Sequence, residues 1–192
     1  MKIKQRRKLP VVLEPIEAER LLKQPNKRYR TGKRNIAIIR IMLNMGLRVS
    51  EVSDLEPGNI NLTSQKLRIV NSKGGADRDL FIPTPLIDCL KAWKDIKPKN
   101  SHYFFTTLKG KKLSNRYLCD MVKRYGKRAK ISKIISPHTL RHSFATEYYR
   151  QTKDIETLRM ILGHADISTT QIYVTLANID VEKGMNGFRI IA

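Results

Sequence analysis

Apolar residues recur along most of this chain at helical spacing, interrupted once by a run of alternation. Pro15 to Gln24 predicts a short helix with Ile16, Leu21 and Leu22 gathered on one side. Lys33 to Met45 predicts a stronger one. Its apolar set of Ile36, Ile38, Ile39, Ile41, Met42, Leu43 and Met45 leaves little polar face, so burial nearly all round is expected. Gly46 supplies the stop, and Arg48 opens a second helical stretch through Leu55 that Pro57 and Gly58 close. Three short β-like runs follow: Asn59–Leu62, Leu67–Asn71 and Arg78–Ile82. The last two are joined by the glycine-bearing turn Ser72–Asp77, so a small antiparallel sheet is predicted.

Beyond the sheet the helical period returns. Thr84 to Ile96 reads as an amphipathic helix, Pro98 to Lys112 as a loop around Tyr103, Phe104 and Phe105, and Ser114 to Ala129 as a basic helix. Ser136 can cap a helix with Pro137 at its first position, running to about Tyr149. Asp154 can cap a short helix ending near Gly163, and Ser168 with Gln171 fits a capping box for a last helix that contains Tyr173. The fold class is therefore mainly α with a small three-stranded antiparallel sheet. A length of 192 residues fits one domain, or one with an appendage.

Charge narrows the partner. The chain has 38 Lys and Arg against 17 Asp and Glu, a formal charge of +21. Residues 1–34 hold 12 basic and 3 acidic groups, and residues 97–133 hold 12 basic and 1 acidic; these blocks carry 20 of the 21 excess charges. Such a footprint favours a nucleic acid, whose condensed counterions are released on binding. A membrane surface is disfavoured, because Lys123–Lys133 lacks the apolar face and aromatic anchors of an interfacial helix. No apolar run approaches the ~20 residues that span a bilayer and no signal-peptide core follows Met1, so a cytoplasmic location is expected, nucleoid-associated if the nucleic acid is DNA. Cys89 and Cys119 are too few for a zinc cluster and read as reduced thiols.

Five stretches carry candidate chemistry: Gly46 to Glu51, Lys73 in its glycine turn, His138 to His142, Leu162 to His164, and Thr169 to Tyr173. His138 and Arg141 lie three apart on one helix face, Arg48 begins another helix, and His164 precedes Tyr173 by nine residues. Two guanidiniums and an imidazole can clamp one phosphate, because the planar arginine fork matches two phosphate oxygens. Preorganised donors also stabilise the charge that builds on those oxygens during phosphoryl transfer. A phenol has a pKa near ~10, so Tyr173 needs cations or a base nearby to become a nucleophile. Glu51, one turn from Arg48, is placed to orient it. His142 lies about 100° round the helix from Arg141 and reads as structural. Tyr148 and Tyr149 read as packing, and His102 as surface.

In order and spacing these stretches resemble the catalytic domain of the tyrosine recombinases, also called phage integrases, which include the Xer recombinases. The likeness is sharpest in "HTLRHSFAT" and "LGHADISTTQIY". It implies that Tyr173 attacks a DNA phosphate to give a 3′-phosphotyrosyl link, with Arg48, Arg141 and His164 holding that phosphate. Lys73 would be the general acid, and His138 the general base or an orienting partner. It also implies double-stranded DNA as partner, a homo-oligomer on DNA, and neither metal nor ATP. Residues 1–175 would form the catalytic domain, with 1–12 a basic extension, 176–192 a tail docking in cis or trans, and no N-terminal core-binding domain. Lys111, Lys112, Arg116, Lys123, Arg124, Lys127 and Arg128 are the candidate DNA contacts, with Ser114–Lys130 as the groove-reading helix. The rival readings are a type IB topoisomerase, a non-cleaving DNA-binding protein of recombinase descent, and a basic RNA-binding protein.

Overall fold

The computed structural model describes residues 9–70 and 77–178. In chain order the elements are α1 (Pro15–Leu22), α2 (Arg30–Met45), α3 (Val49–Asp54), β1 (Ile60–Asn61), β2 (Lys66–Ile69), β3 (Arg78–Phe81), α4 (Thr84–Lys94), α5 (Asn115–Arg128), α6 (Pro137–Thr152) and α7 (Ile155–Leu162). Residues 171–178 are helical and are called α8. The three strands pair antiparallel in the order β1-β2-β3, with Leu67 opposite Ile60 on one side and Leu80 on the other. The mainly helical fold with one small sheet is the one the sequence pattern predicts.

Among the described residues two apolar clusters form. The larger is centred on α2, whose Ile38, Ile39, Ile41 and Met42 are fully buried. It takes in Leu67, Ile69 and Leu80 of the sheet, Leu90 and Trp93 of α4, and Leu118 and Met121 of α5. Phe104 and Phe105 close it, packed edge to face at 4.9 Å, with the Trp93 indole donating to the Phe104 carbonyl at 2.8 Å. The smaller cluster joins Ala145 of α6, Leu158 and Leu162 of α7, and Tyr173 and Leu176 of α8. The seam between the clusters holds the candidate site.

Several expected boundaries move. Helix α1 stops at Leu22, and Ile16 is 60% exposed instead of facing the core. Helix α2 begins at Arg30, three residues early, with the Lys33 amide donating to the Tyr29 carbonyl at 3.0 Å; within it buried Arg34 donates to the Thr106 carbonyl at 2.8 Å and Asn35 to the Tyr125 hydroxyl at 3.0 Å. Helix α6 runs on to Thr152, and Lys153 takes the left-handed conformation (φ 56°) usually left to glycine. The capping box expected from Ser168 and Gln171 does not form. Asp166 accepts from the Ser168 amide at 2.9 Å and hydroxyl at 2.6 Å, winding Ile167–Thr169 into a 3-10 turn before α8. Of the turn expected over Ser72–Asp77, only Asp77 lies within the described residues, and Lys73 lies outside them. No helix among the described residues is long and apolar enough to cross a membrane.

Candidate active site

The site is assembled from helix ends. Gly46 (φ 63°) and Gly163 (φ 60°) end α2 and α7 in the left-handed conformation, turning the last carbonyls of both helices toward α6. A Cβ on Gly46 would sit 2.4 Å from the Phe144 ring, so this position needs glycine for space as well as for conformation. Ser136 and Thr139 exchange side-chain to backbone hydrogen bonds, fixing the start of α6. Arg141, one turn in, then points inward and is 5% exposed.

Arg141 bridges the two helix ends, donating to the Gly46 carbonyl at 2.6 Å and the Leu162 carbonyl at 2.7 Å. Its Nη2 also lies 3.0 Å from His164 Nε2. A guanidinium only donates, so His164 Nε2 accepts and its proton is on Nδ1, which donates to Thr170 Oγ1 at 3.0 Å. Burial, then the charges of Arg141 and Arg48, lower the His164 pKa to about 4. Burial, followed by the nearby Arg48 charge, brings Arg141 down to about 10, which leaves it protonated at neutral pH.

Arg48 caps α3 together with Glu51, whose carboxylate accepts from the Arg48 amide at 2.7 Å and from its Nη1 at 3.0 Å. The other Arg48 nitrogen, Nη2, donates to the Gly163 carbonyl at 3.1 Å. The Tyr173 ring is packed in the smaller cluster at 2% exposure, and its hydroxyl lies 3.0 Å from His142 Nδ1. Burial raises the Tyr173 pKa, and the charges of Arg141 and Arg48 oppose that rise. The phenol is thus covered, yet its oxygen lies within electrostatic reach of both arginines. The arrangement offers a compact cationic site beside a tyrosine oxygen, the two parts needed for phosphoryl transfer onto a phenol.

Residues 11–178 match the model of the phage integrase family. The chain belongs to that family. It is 31% identical over 191 residues to the tyrosine recombinase XerD of Staphylococcus haemolyticus, and 35% identical over 180 residues to the XerD of Ralstonia nicotianae. Those matches cover 96% and 91% of this chain but only 64% and 58% of the relatives' lengths. Among solved structures, XerA recombinase superposes with a TM-score of 0.82 at 27% identity, covering 96% of this chain and 68% of that one. XerH recombinase bound to its palindromic difH substrate gives 0.79 at 27%, covering 94% and 54%. The catalytic domain of bacteriophage HP1 integrase shares the fold, with a TM-score of 0.66 at 24% identity over 94% of this chain and 96% of that one.

In this phage integrase family chain, the sequence candidates divide by place. Arg48, Glu51, Arg141, His164 and Tyr173 are brought together. His138 lies exposed in the first turn of α6, near enough that its charge acts on His142. Lys111, Lys112, Arg116, Lys123, Arg124, Lys127 and Arg128 are all exposed, on α5 and the loop before it. Lys112 pairs with Asp54, and Arg124 and Arg128 lie over the Tyr125 ring. Among the described residues, no group of His, Cys, Asp and Glu is placed to hold a metal. Sequence reasoning missed three members. Thr170 fixes the His164 tautomer, and its place in the STTQIY stretch was the available signal. His142, read as structural, hydrogen-bonds the Tyr173 hydroxyl, a contact its spacing does not reveal. Arg78 donates to both Glu51 oxygens at 2.9 and 3.0 Å, and nothing in its local sequence marks it.

Two of these histidines make stability pH-dependent. Burial, then the charges of His138 and Arg141, bring His142 down to about 4, as His164 is brought down, from an ordinary value of 6.5. The unfolded chain therefore takes up protons that the folded chain resists, and stability falls as pH drops from 6.5 toward 4. The melting temperature is expected to decline steadily over the upper part of that window. The decline should be flatter in His142→Asn and His164→Asn; parallel profiles for all three proteins would refute the assignment.

Proposed function

We propose that this chain carries the catalytic domain of a site-specific DNA recombinase that cuts and rejoins double-stranded DNA through Tyr173. The observation that carries this reading is the convergence of Arg48, Arg141 and His164 on the end of α7, within electrostatic reach of the Tyr173 oxygen. A scissile phosphate enters between the two guanidiniums. His164 exchanges the Arg141 bond it accepts for one it donates, which requires it to gain a proton or switch tautomer. Tyr173 leaves His142 and gives up its phenolic proton to His138 as base, or to solvent water where His138 only orients. The phenolate oxygen then bonds to phosphorus, the bond from phosphorus to the 5′ oxygen breaks, and Lys73 protonates that oxygen. The 3′-phosphotyrosyl link keeps the energy of the phosphodiester, so the reverse attack by a 5′ hydroxyl reseals the strand without ATP or metal.

The exposed basic side of α5, with Lys111 and Lys112, binds the duplex backbone, and copies of the chain assemble on DNA with the apolar 176–192 segment docking between or within them. On this reading the activity belongs on nucleoid DNA in the cytoplasm. The test is a nicked duplex half-site that loses the cleaved 5′ strand and traps the intermediate. With a chelator present, the protein is expected to yield a DNA complex that resists denaturant and disappears on protease treatment. Binding without such a complex would leave only a DNA-binding protein.

A further inference from the structure

Four consecutive main-chain carbonyls at the end of α7 each accept from a different arginine. Arg78 Nε takes Ile161 at 2.7 Å, Arg141 takes Leu162 at 2.7 Å, Arg48 takes Gly163 at 3.1 Å, and Arg159 takes His164 at 3.1 Å. A helix C-terminus has unpaired carbonyls and partial negative charge, so it can order cations whose mutual repulsion would otherwise spread them. Arg48 and Arg141 are already assigned to the phosphate. Arg159 lies on α7 itself and is held by Glu156. Arg78 comes from a different element, the first residue of β3, and is so far without a task.

Its remaining bonds supply one. The Arg78 fork meets both oxygens of Glu51, and the same carboxylate holds Arg48 by its amide and by Nη1. The side chains of Arg78 and Glu51 are 9% and 3% exposed, whereas that of Arg48 is 33% exposed. The sealed pair therefore satisfies itself, and the open arginine keeps its charge for an incoming anion. With only Arg48 as counter-ion, Glu51 would draw that guanidinium inward and cancel the charge the phosphate needs. The contact is tight: a Cβ on Gly163 would lie 2.8 Å from Arg78 Nη1, so the glycine that exposes these carbonyls also makes room for the arginine that grips them.

We propose that Arg78 is a positioning residue for strand cleavage. By neutralising Glu51 and tying β3 to α7, it sets Arg48 in register with Arg141 and His164. The proposal rests on the recombinase reading above. Its test is single-turnover cleavage of the nicked duplex over a range of protein concentrations. Arg78→Lys keeps the charge but loses the fork, and a misplacement on the ångström scale costs up to about 100-fold. The saturating cleavage rate is therefore expected to fall roughly 30- to 100-fold, with the half-saturating concentration changed less than about 2-fold. Arg48→Lys combined with Arg78→Lys should be hardly slower than Arg48→Lys alone, because both act through one guanidinium. Should Arg78→Lys fail to fold, Glu51→Leu with Arg78→Met removes the buried charges together and should fold yet cleave equally poorly. A merely structural Arg78 would lower the melting temperature and leave the rate at a permissive temperature near wild type. That result, or fully additive losses in the double variant, would overturn the proposal. Failure of the wild type to form adduct would instead sink the recombinase reading and carry this proposal with it.

Discussion

Arg141→Lys is expected to slow strand cleavage by about 10²- to 10³-fold, the usual cost of losing one preorganised donor to developing charge, while duplex affinity stays within a few-fold. Arg141 spends its fork on the Gly46 and Leu162 carbonyls and on His164 Nε2, so a single residue fixes two helix ends and an imidazole. Lysine offers a point charge on a flexible stem and cannot keep those three directions at once. The residue is nearly buried, so it adds little to long-range attraction for DNA, which on the proposed reading comes from the exposed basic residues of α5 and the loop before it. Single-turnover cleavage measured beside fluorescence anisotropy separates the two quantities. Equal losses in rate and affinity would make Arg141 only a binding residue.

Glu51→Ala is expected to cost about 3–5 kcal/mol of stability, the range found when one partner of a buried ion pair is removed. The carboxylate is the shared acceptor for Arg78, the Arg48 side chain and the Arg48 amide, and its loss leaves a sealed guanidinium without counter-charge. In a chain of this length that corresponds to a melting temperature lower by about 10 °C. Burial pushes the Glu51 pKa up, but the hydrogen bonds and charge of Arg78 outweigh it, and the net shift is below the ordinary 4.5. A depressed carboxyl pKa contributes stability above 4.5 that is lost as pH falls through the folded value, so the penalty of Glu51→Ala should shrink in acid. A variant as stable as the wild type at neutral pH would show that the pair is not the keystone described.

What could be read from sequence follows from how far each signal reaches along the chain. Gly46 and Gly163 announce helix ends because left-handed backbone is a property of one residue, and Ser136-Pro137 announces a helix start for the same reason. The motif residues Arg48, Arg141, His164 and Tyr173 were legible from their order, and the fold brings them together. Arg78 was not, because an arginine beginning a strand beside a glycine turn reads as solvated, and only the return of α7 across β3 buries it. The contact of His142 with Tyr173 was not legible from its angle on α6, since it depends on α8 laying Tyr173 against that face. The last capping box failed because Asp166, two residues before Ser168, is the stronger acceptor within reach. Spacing alone groups Ile16 with Leu21 and Leu22 on one side, although α1 buries only one narrow stripe around Leu21.

Everything chemical in this account depends on Tyr173 becoming joined to DNA. Trypsin releases it within Met160–Lys183, a peptide with no other tyrosine. Mass spectrometry of the trapped, nuclease-trimmed adduct is expected to find that peptide carrying a nucleotide on Tyr173, and Tyr173→Phe should bind the same half-site without forming adduct. A nucleotide on Tyr148, Tyr149 or any other side chain, or an adduct that persists in Tyr173→Phe, would contradict it.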